Sequence, residues 1–331
     1  MFVMAFREAH GRLCEEHRAE LSPADEDILI KVSACAVCRT DIHIQDAELP
    51  GIDYPVVPGH QVVGEVVAAG RNAVFAAGQR VGVAWLGWTC GECEYCTSDR
   101  ENLCDRARFH GYHLDGGYAD HMLANSRYCF ALETSLVAAA TAAEIAPLLC
   151  AGLIGFRSLR AVGDARRIGI YGFGSAAHII TQVATREGRE IYAFTRTGDT
   201  AAQSFALELG AIWSGGSESP SPERLDAAII FAPDGKLVPK ALVDLKKGGS
   251  LVCGGIHMSD IPQFPYANLW GERSITSIAN LTRADGRAFM SIVNKGFLKP
   301  RIKTYPLREA NTALDDLRRG VISGSAVLVM D

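Results

Sequence analysis

The chain has 331 residues, 48% of them apolar and 21% charged, with a formal net charge of −5. That length suffices for two domains and a sizeable buried core, and the acidic balance argues against a nucleic-acid or anionic-membrane partner, which would call for a basic face. The opening "MFVMAFREAH" lacks the apolar core of a secretion signal, and no apolar run approaches the length of a membrane span. A cytoplasmic location is therefore expected. Thiols stay reduced there, so clustered cysteines favour metal over disulfide.

In chain order, residues 1 to about 130 read as short strands separated by turns. "DILIKVSACAV" and "QVVGEVVAAG" are apolar and β-branched, whereas "PVVPGH" and "DGGYAD" are turn-like. Past Ala142 the texture changes. "AAEIAPLLCAGLIGFRSLRAVG" reads as a helix, "RRIGIYGFG" as a strand entering a glycine turn, and "SAAHIITQVATREG" as an amphipathic helix. Then follow "EIYAFTR" (strand), "TAAQSFALELGA" (helix), "LDAAIIFAP" (strand), "KLVPKALVDLKKGG" (helix) and "SLVCGG" (strand). Strand alternating with helix predicts an α/β, doubly wound parallel sheet. The tail adds a helix, "LREANTALDDLRRG", and a strand, "SAVLVMD", whose partner sheet the sequence leaves open.

The glycine turn holds Gly172, Gly174 and Ala177 in a G-x-G-x-x-A pattern. The first glycine suits a tight turn, the second lets backbone approach a pyrophosphate, and the small third residue allows close packing. Ser175 opens the following helix, whose free N–H groups and positive dipole end suit phosphates. The motif follows a strand and heads a βαβ series, the context a dinucleotide site requires. An acidic residue would end the second strand if NAD were preferred. Thr195 and Arg196 stand there instead, and a hydroxyl with a guanidinium suits a 2′-phosphate. The expected cofactor is NADP in preference to NAD; the alternative has Arg196 solvated and Asp199 supplying the acid.

Cys90, Cys93, Cys96 and Cys104 follow C-x2-C-x2-C-x7-C. Four thiolates close a tetrahedron around zinc without an open position, which makes a structural site. Reduced surface thiols or an iron–sulfur cluster are the alternatives. Cys35, Cys38 and His60 carry little signal taken singly.

Together, "CRTDIH", "PGH", the four-cysteine lobe, "DGGYAD" and "GFGSAA" occur in the order found in the zinc-dependent medium-chain alcohol dehydrogenases, and the chain resembles that family from Asp27 to its last strand. The resemblance implies a GroES-like β-barrel catalytic domain at residues 1–150, completed by 296–331, and a Rossmann dinucleotide-binding domain at 151–295. It implies one catalytic zinc on Cys38, His60 and Cys150 beside the structural one on the lobe. Asp41 would orient the histidine ligand, and Thr40 and His43 would relay the proton. Arg39 and Arg283 would contact the cofactor phosphates. The implied activity is hydride transfer between a primary or secondary alcohol and the nicotinamide, or the reverse on an aldehyde, in a homodimer or homotetramer. A polyol or formaldehyde dehydrogenase, or a non-catalytic NADPH-binding protein, are the alternatives. One departure stands out: the family's glycine-histidine-glutamate reads Gly59-His60-Gln61 here, which removes a charge beside the expected metal.

Overall fold

The strand Asp27–Ala36 alternates buried and less buried residues along most of its length and organises the first half of the chain. In a computed structural model, which describes residues 1–330, it lies near the middle of a seven-stranded sheet. Val62–Ala69 pairs antiparallel along one edge, with Cys35 opposite Val62. Ser325–Val329 and His121–Asn125 share the other edge, Leu328 opposite Cys35 and Met122 opposite Ile30. Arg80–Val83, Cys129–Ala131 and Ile302–Pro306 complete the sheet. Ile28, Ile30, Val62, Val66, Val81 and Leu328 fill its core and are essentially inaccessible. The final strand, whose partner the sequence left open, thus pairs with the N-terminal sheet. Asp331, the last residue of the expected strand, lies outside the described residues.

Packing divides the chain into two units, Met1–Cys150 with the segment from Asn280 onward, and Ala151–Ala279. The return to the first unit comes at Asn280, earlier than the expected residue 296. The physical reason is the helix Arg283–Val293, which is anchored inside the first unit. A Cβ at Gly286 would lie 2.1 Å from the Phe130 ring, so the helix backbone rests directly on that side chain. The Arg283 N–H donates to Glu101 at 2.9 Å, fixing the helix start.

The second unit holds six parallel strands in the spatial order Trp213–Gly216, Glu190–Thr195, Arg167–Tyr171, Leu225–Ile230, Leu245–Cys253, Ser274–Ser277. The order reverses between Arg167–Tyr171 and Leu225–Ile230, and ligands of open α/β sheets bind at such a switch point. Tyr171 stacks on Phe194 with centroids 4.1 Å apart, and its hydroxyl donates to buried Asp244 at 2.5 Å.

Three local expectations change. The single helix expected from Ala142 is broken into Ala142–Ile145, a 3₁₀ turn Ala146–Leu149 and Ala151–Ala161. Pro147 cannot donate the helical N–H, and Cys150 sits at the break with φ −138° and ψ −63°. The helix expected to run to Gly249 stops at Asp244, because Leu245 is fully buried and pairs with Leu225. The outer strands Trp213–Gly216 and Ser274–Ser277 gave no strand signal, being rich in glycine and serine. Among the described residues no single helix is long and apolar enough to cross a membrane.

Candidate active site

Three turns of the first unit converge. Cys38 follows the central strand and caps the helix Arg39–Gln45. His60 follows Gly59, whose φ of 97° no other residue adopts readily. Cys150 occupies the helix break. One ligand atom from each of Cys38, His60 and Cys150 lies within 4.8 Å of the others. His60 is fully buried, and neither ring nitrogen has a hydrogen-bond partner. A buried imidazole left so is costly unless a cation satisfies it, so this donor set fits a metal ion.

The electrostatics agree. Burial opposes a charge on His60, yet Asp41 and Cys38 outweigh it and hold the ring's pKa up at about 10. A hydrogen bond from Cys150 pulls the Cys38 thiol well below its ordinary range, despite burial. Asp41 and the Cys38 thiolate thus place negative charge beside the His60 ring, while Cys38 and burial push the Cys150 thiol up.

Asp41 is fully buried and ties the parts together. It accepts the Cys38 N–H at 2.7 Å and the Gly59 N–H at 3.2 Å, and its Oδ1 stands 3.6 Å from His60 Nδ1. Thr40 and His43 are also buried, three residues apart and so on one face of their helix. The Cys38 thiol contacts Thr40 Oγ1 at 3.6 Å. His43 Nδ1 pairs with Glu48, whose carboxylate is 41% exposed. Gln61 is buried, and its amide donates to the Ala36 carbonyl at 3.4 Å, a bond a glutamate could not make. Trp85 lies with its ring centroid 6.0 Å from His60 and stacks on Phe109 at 4.3 Å. Trp88 and Trp270 are exposed. Glu48, Tyr118 and Glu101 were missed in the sequence, where each reads as an ordinary surface or turn residue.

Cys90, Cys93, Cys96 and Cys104 also gather within 4.8 Å. Cys90 Sγ is 3.8 Å from Cys96 Sγ and 3.6 Å from Cys104 Sγ. A disulfide needs about 2.05 Å, whereas sulfurs about 2.3 Å from one zinc in a tetrahedron stand about 3.8 Å apart. The N–H groups of Glu92 and Cys93 favour the Cys90 thiolate and bring its pKa to about 6. His110 does not join this lobe: its Nδ1 meets the Ala84 carbonyl at 2.9 Å, and burial lowers its pKa to about 4.

In the second unit, Gly172 has φ 91°, and a Cβ there would lie 2.7 Å from the Ala232 nitrogen. Gly174 caps the helix Ser175–Arg186, and a Cβ there would meet nothing within 4 Å. Open space before the N-terminus of this helix fits a phosphate cradle. Ala177 is fully buried. Thr195 is turned inward, its hydroxyl donating to the Arg196 carbonyl at 3.1 Å. Arg196 is exposed. Asp199 caps the next helix by accepting the Ala202 N–H at 3.0 Å. Arg39 is exposed, whereas Arg283 donates through Nε to Glu101 at 3.2 Å and lies over the Tyr128 ring.

Residues 24–134 match the model of the alcohol dehydrogenase GroES-like domain. The chain is 44% identical to "Probable alcohol dehydrogenase AdhA" of Mycobacterium tuberculosis, covering 93% of this chain and 90% of that one. It is 32% identical to an alcohol dehydrogenase of Geobacillus stearothermophilus, covering 91% of each. A cinnamyl alcohol dehydrogenase structure from Sorghum bicolor superposes with a TM-score of 0.89 at 25% identity, covering 99% of this chain and 97% of that one. The broken helix at Cys150, the Asp41-braced turn at His60 and the glycine turn at Gly172 thus stand in a chain that belongs to the zinc-dependent medium-chain alcohol dehydrogenase family.

Proposed function

We propose that Cys38, His60 and Cys150 hold a catalytic zinc ion in this alcohol dehydrogenase, and that Cys90, Cys93, Cys96 and Cys104 hold a structural one. The observation that carries the first assignment is the fully buried His60 ring, unpartnered on both nitrogens and set between two thiols. Three protein ligands would leave the ion one position open to substrate, whereas the four-cysteine lobe would leave none. When bound, the catalytic zinc supplies Lewis acidity that lowers the pKa of an alcohol hydroxyl or polarises an aldehyde carbonyl. Metal analysis tests the pair: about two zinc ions per chain support it, and at most one overturns it.

The protein's own groups then handle the proton. Thr40, beside Cys38, takes the proton as its own hydroxyl proton moves on toward His43, three residues along the same helix face, and His43 passes a proton to Glu48, whose carboxylate meets solvent. His43→Ala should slow alcohol oxidation about tenfold below neutral pH and little above pH 9, where external base substitutes. A pH–rate profile superimposable on wild type would remove His43 from the path. Trp85 and Phe109 offer an apolar wall suited to a hydrocarbon substituent on the alcohol.

The cofactor is proposed to be NADP, with its pyrophosphate on the N–H groups from Gly174 and Ser175 onward. Two placements support the preference: Asp199 is engaged as a helix cap, and Arg196 is exposed. The 2′-phosphate contact therefore falls to Arg196 and not to the inward Thr195. Of the two other basic residues, Arg39 is exposed and Arg283 is held by Glu101. A charge-assisted bond is worth about 1.5–3 kcal/mol, so Arg196→Ser should cost about 10–100-fold in kcat/KM with NADP and leave NAD nearly unchanged. A strong wild-type preference for NAD would end this reading. Six of the ten cysteines gather in metal-ligand clusters, which suits a reducing compartment and supports a cytoplasmic location. A homodimer or homotetramer remains the expected assembly.

A further inference from the structure

The stretch "DGGYAD" reads as a turn and carries part of the family resemblance, and its tyrosine has no role assigned so far. We propose that Tyr118 is a positioning residue for the metal centre: its buried hydroxyl holds the Asp41 carboxylate, which in turn orients His60 and the Cys38 backbone. The inference rests on the assignment of Cys38, His60 and Cys150 as metal ligands.

The backbone places Tyr118 with little freedom. The Gly116 N–H donates to the Val57 carbonyl at 2.7 Å, the Gly117 N–H to that of Gly59 at 2.9 Å, and the Tyr118 N–H to that of Pro58 at 3.0 Å. The Tyr118 carbonyl accepts the Met4 N–H at 2.8 Å. The two segments then interlock through their glycines. A Cβ at Gly116 would lie 2.0 Å from the Gly59 oxygen, and one at Gly59 would lie 2.4 Å from Tyr118 Cδ1. No side chain separates the tyrosine ring from the backbone that precedes His60.

The hydroxyl of this fully buried ring donates to Asp41 Oδ2 at 3.1 Å. The same oxygen accepts the Cys38 N–H at 2.7 Å. The other oxygen, Oδ1, accepts the Gly59 N–H at 3.2 Å and faces His60 Nδ1 at 3.6 Å. The labour is divided between the two oxygens. Two donors fix Oδ2, so the carboxylate plane is set and Oδ1 is presented to the histidine. Without the hydroxyl, one donor remains on Oδ2 and the carboxylate can pivot about Cβ–Cγ. Groups that brace a ligating histidine commonly alter metal affinity 10–100-fold when removed. Tyr118 acts one step further out, so its effect should fall near the lower end of that range.

Tyr118→Phe keeps the ring and removes only the donor. The full-length variant should release zinc to a chelator about tenfold faster than wild type. After cobalt substitution, it should shift the d–d absorption bands that Cys38→Ser abolishes, while the melting temperature of the metal-stripped protein stays at the wild-type value. Asp41→Asn should change the same two metal readouts by more. Wild-type release and cobalt bands in Tyr118→Phe, with Asp41→Asn altered, would overturn the inference and leave the ligand assignment standing. Equal loss of melting temperature with and without metal, and unshifted bands, would make Tyr118 a packing residue and overturn it too. A cobalt spectrum of Cys38→Ser identical to that of wild type, with no band lost beyond those of the four-cysteine lobe, would overturn the ligand assignment and this inference together.

Discussion

Cys38→Ser should bind one metal ion fewer per chain and lose at least about 10³-fold in kcat/KM for alcohol oxidation. A neutral serine hydroxyl replaces an anionic sulfur, and the centre then has one strong imidazole and one thiol with which to hold zinc. The Lewis-acid contribution is worth several kcal/mol, and each 1.36 kcal/mol is a tenfold change in rate, which gives about three orders of magnitude. The substitution isolates that effect because the fold should tolerate it. Cys38 caps the helix Arg39–Gln45, a position serine favours, and the bond from its own N–H to Asp41 at 2.7 Å is unchanged by the swap. Nucleotide binding, proposed on the glycine turn at Gly172 and Gly174, should persist in a fluorescence titration. A variant with full metal content and undiminished turnover would refute the assignment of Cys38.

How much of this was readable beforehand follows from the range over which each feature is decided. The lobe was legible because its four sulfurs fall within fifteen residues and their spacing alone restricts the geometry. The strand, glycine turn and helix from Arg167 to Arg186 were legible because period and turn chemistry are local. Cys38, His60 and Cys150 were not: each is one polar residue in an apolar stretch, and only the family resemblance grouped them. The sheet that brings Cys35 opposite both Val62 and Leu328 accounts for the approach of Cys38 to His60, and no window of sequence contains that pairing. Tyr118 and Glu48 were hidden for the same reason, since each matters through one bond to Asp41 or His43. The strand Ser274–Ser277 owes its form to the neighbour at Ser250–Cys253, not to its own residues. The early return at Asn280 was hidden because it depends on Gly286 resting on Phe130.

Cys93→Ser should act on stability before chemistry, lowering the melting temperature by about 10 °C. From Gly91 to Arg100 no residue is buried, so this lobe has almost no apolar core of its own. A segment that cannot bury enough surface depends on a cross-link, and metal binding then becomes folding free energy. Cys93 also starts the short helix Glu94–Thr97, and its carbonyl accepts the Thr97 N–H at 3.0 Å, but four residues of helix cannot hold themselves. The consequence extends past the lobe. Glu101, just before Cys104, is buried and receives both the N–H and the Nε of Arg283. Loosening the lobe therefore frees the start of the helix Arg283–Val293. A loss of several kcal/mol corresponds to about 10 °C for a unit of this size. Trypsin should cut the variant at exposed Arg100 and Arg106 under conditions that leave wild type intact. Among molecules still folded at low temperature, kcat should fall far less than in Cys38→Ser, because the lobe sulfurs are committed to each other. Unchanged melting and unchanged protease resistance would show that the four sulfurs cross-link nothing.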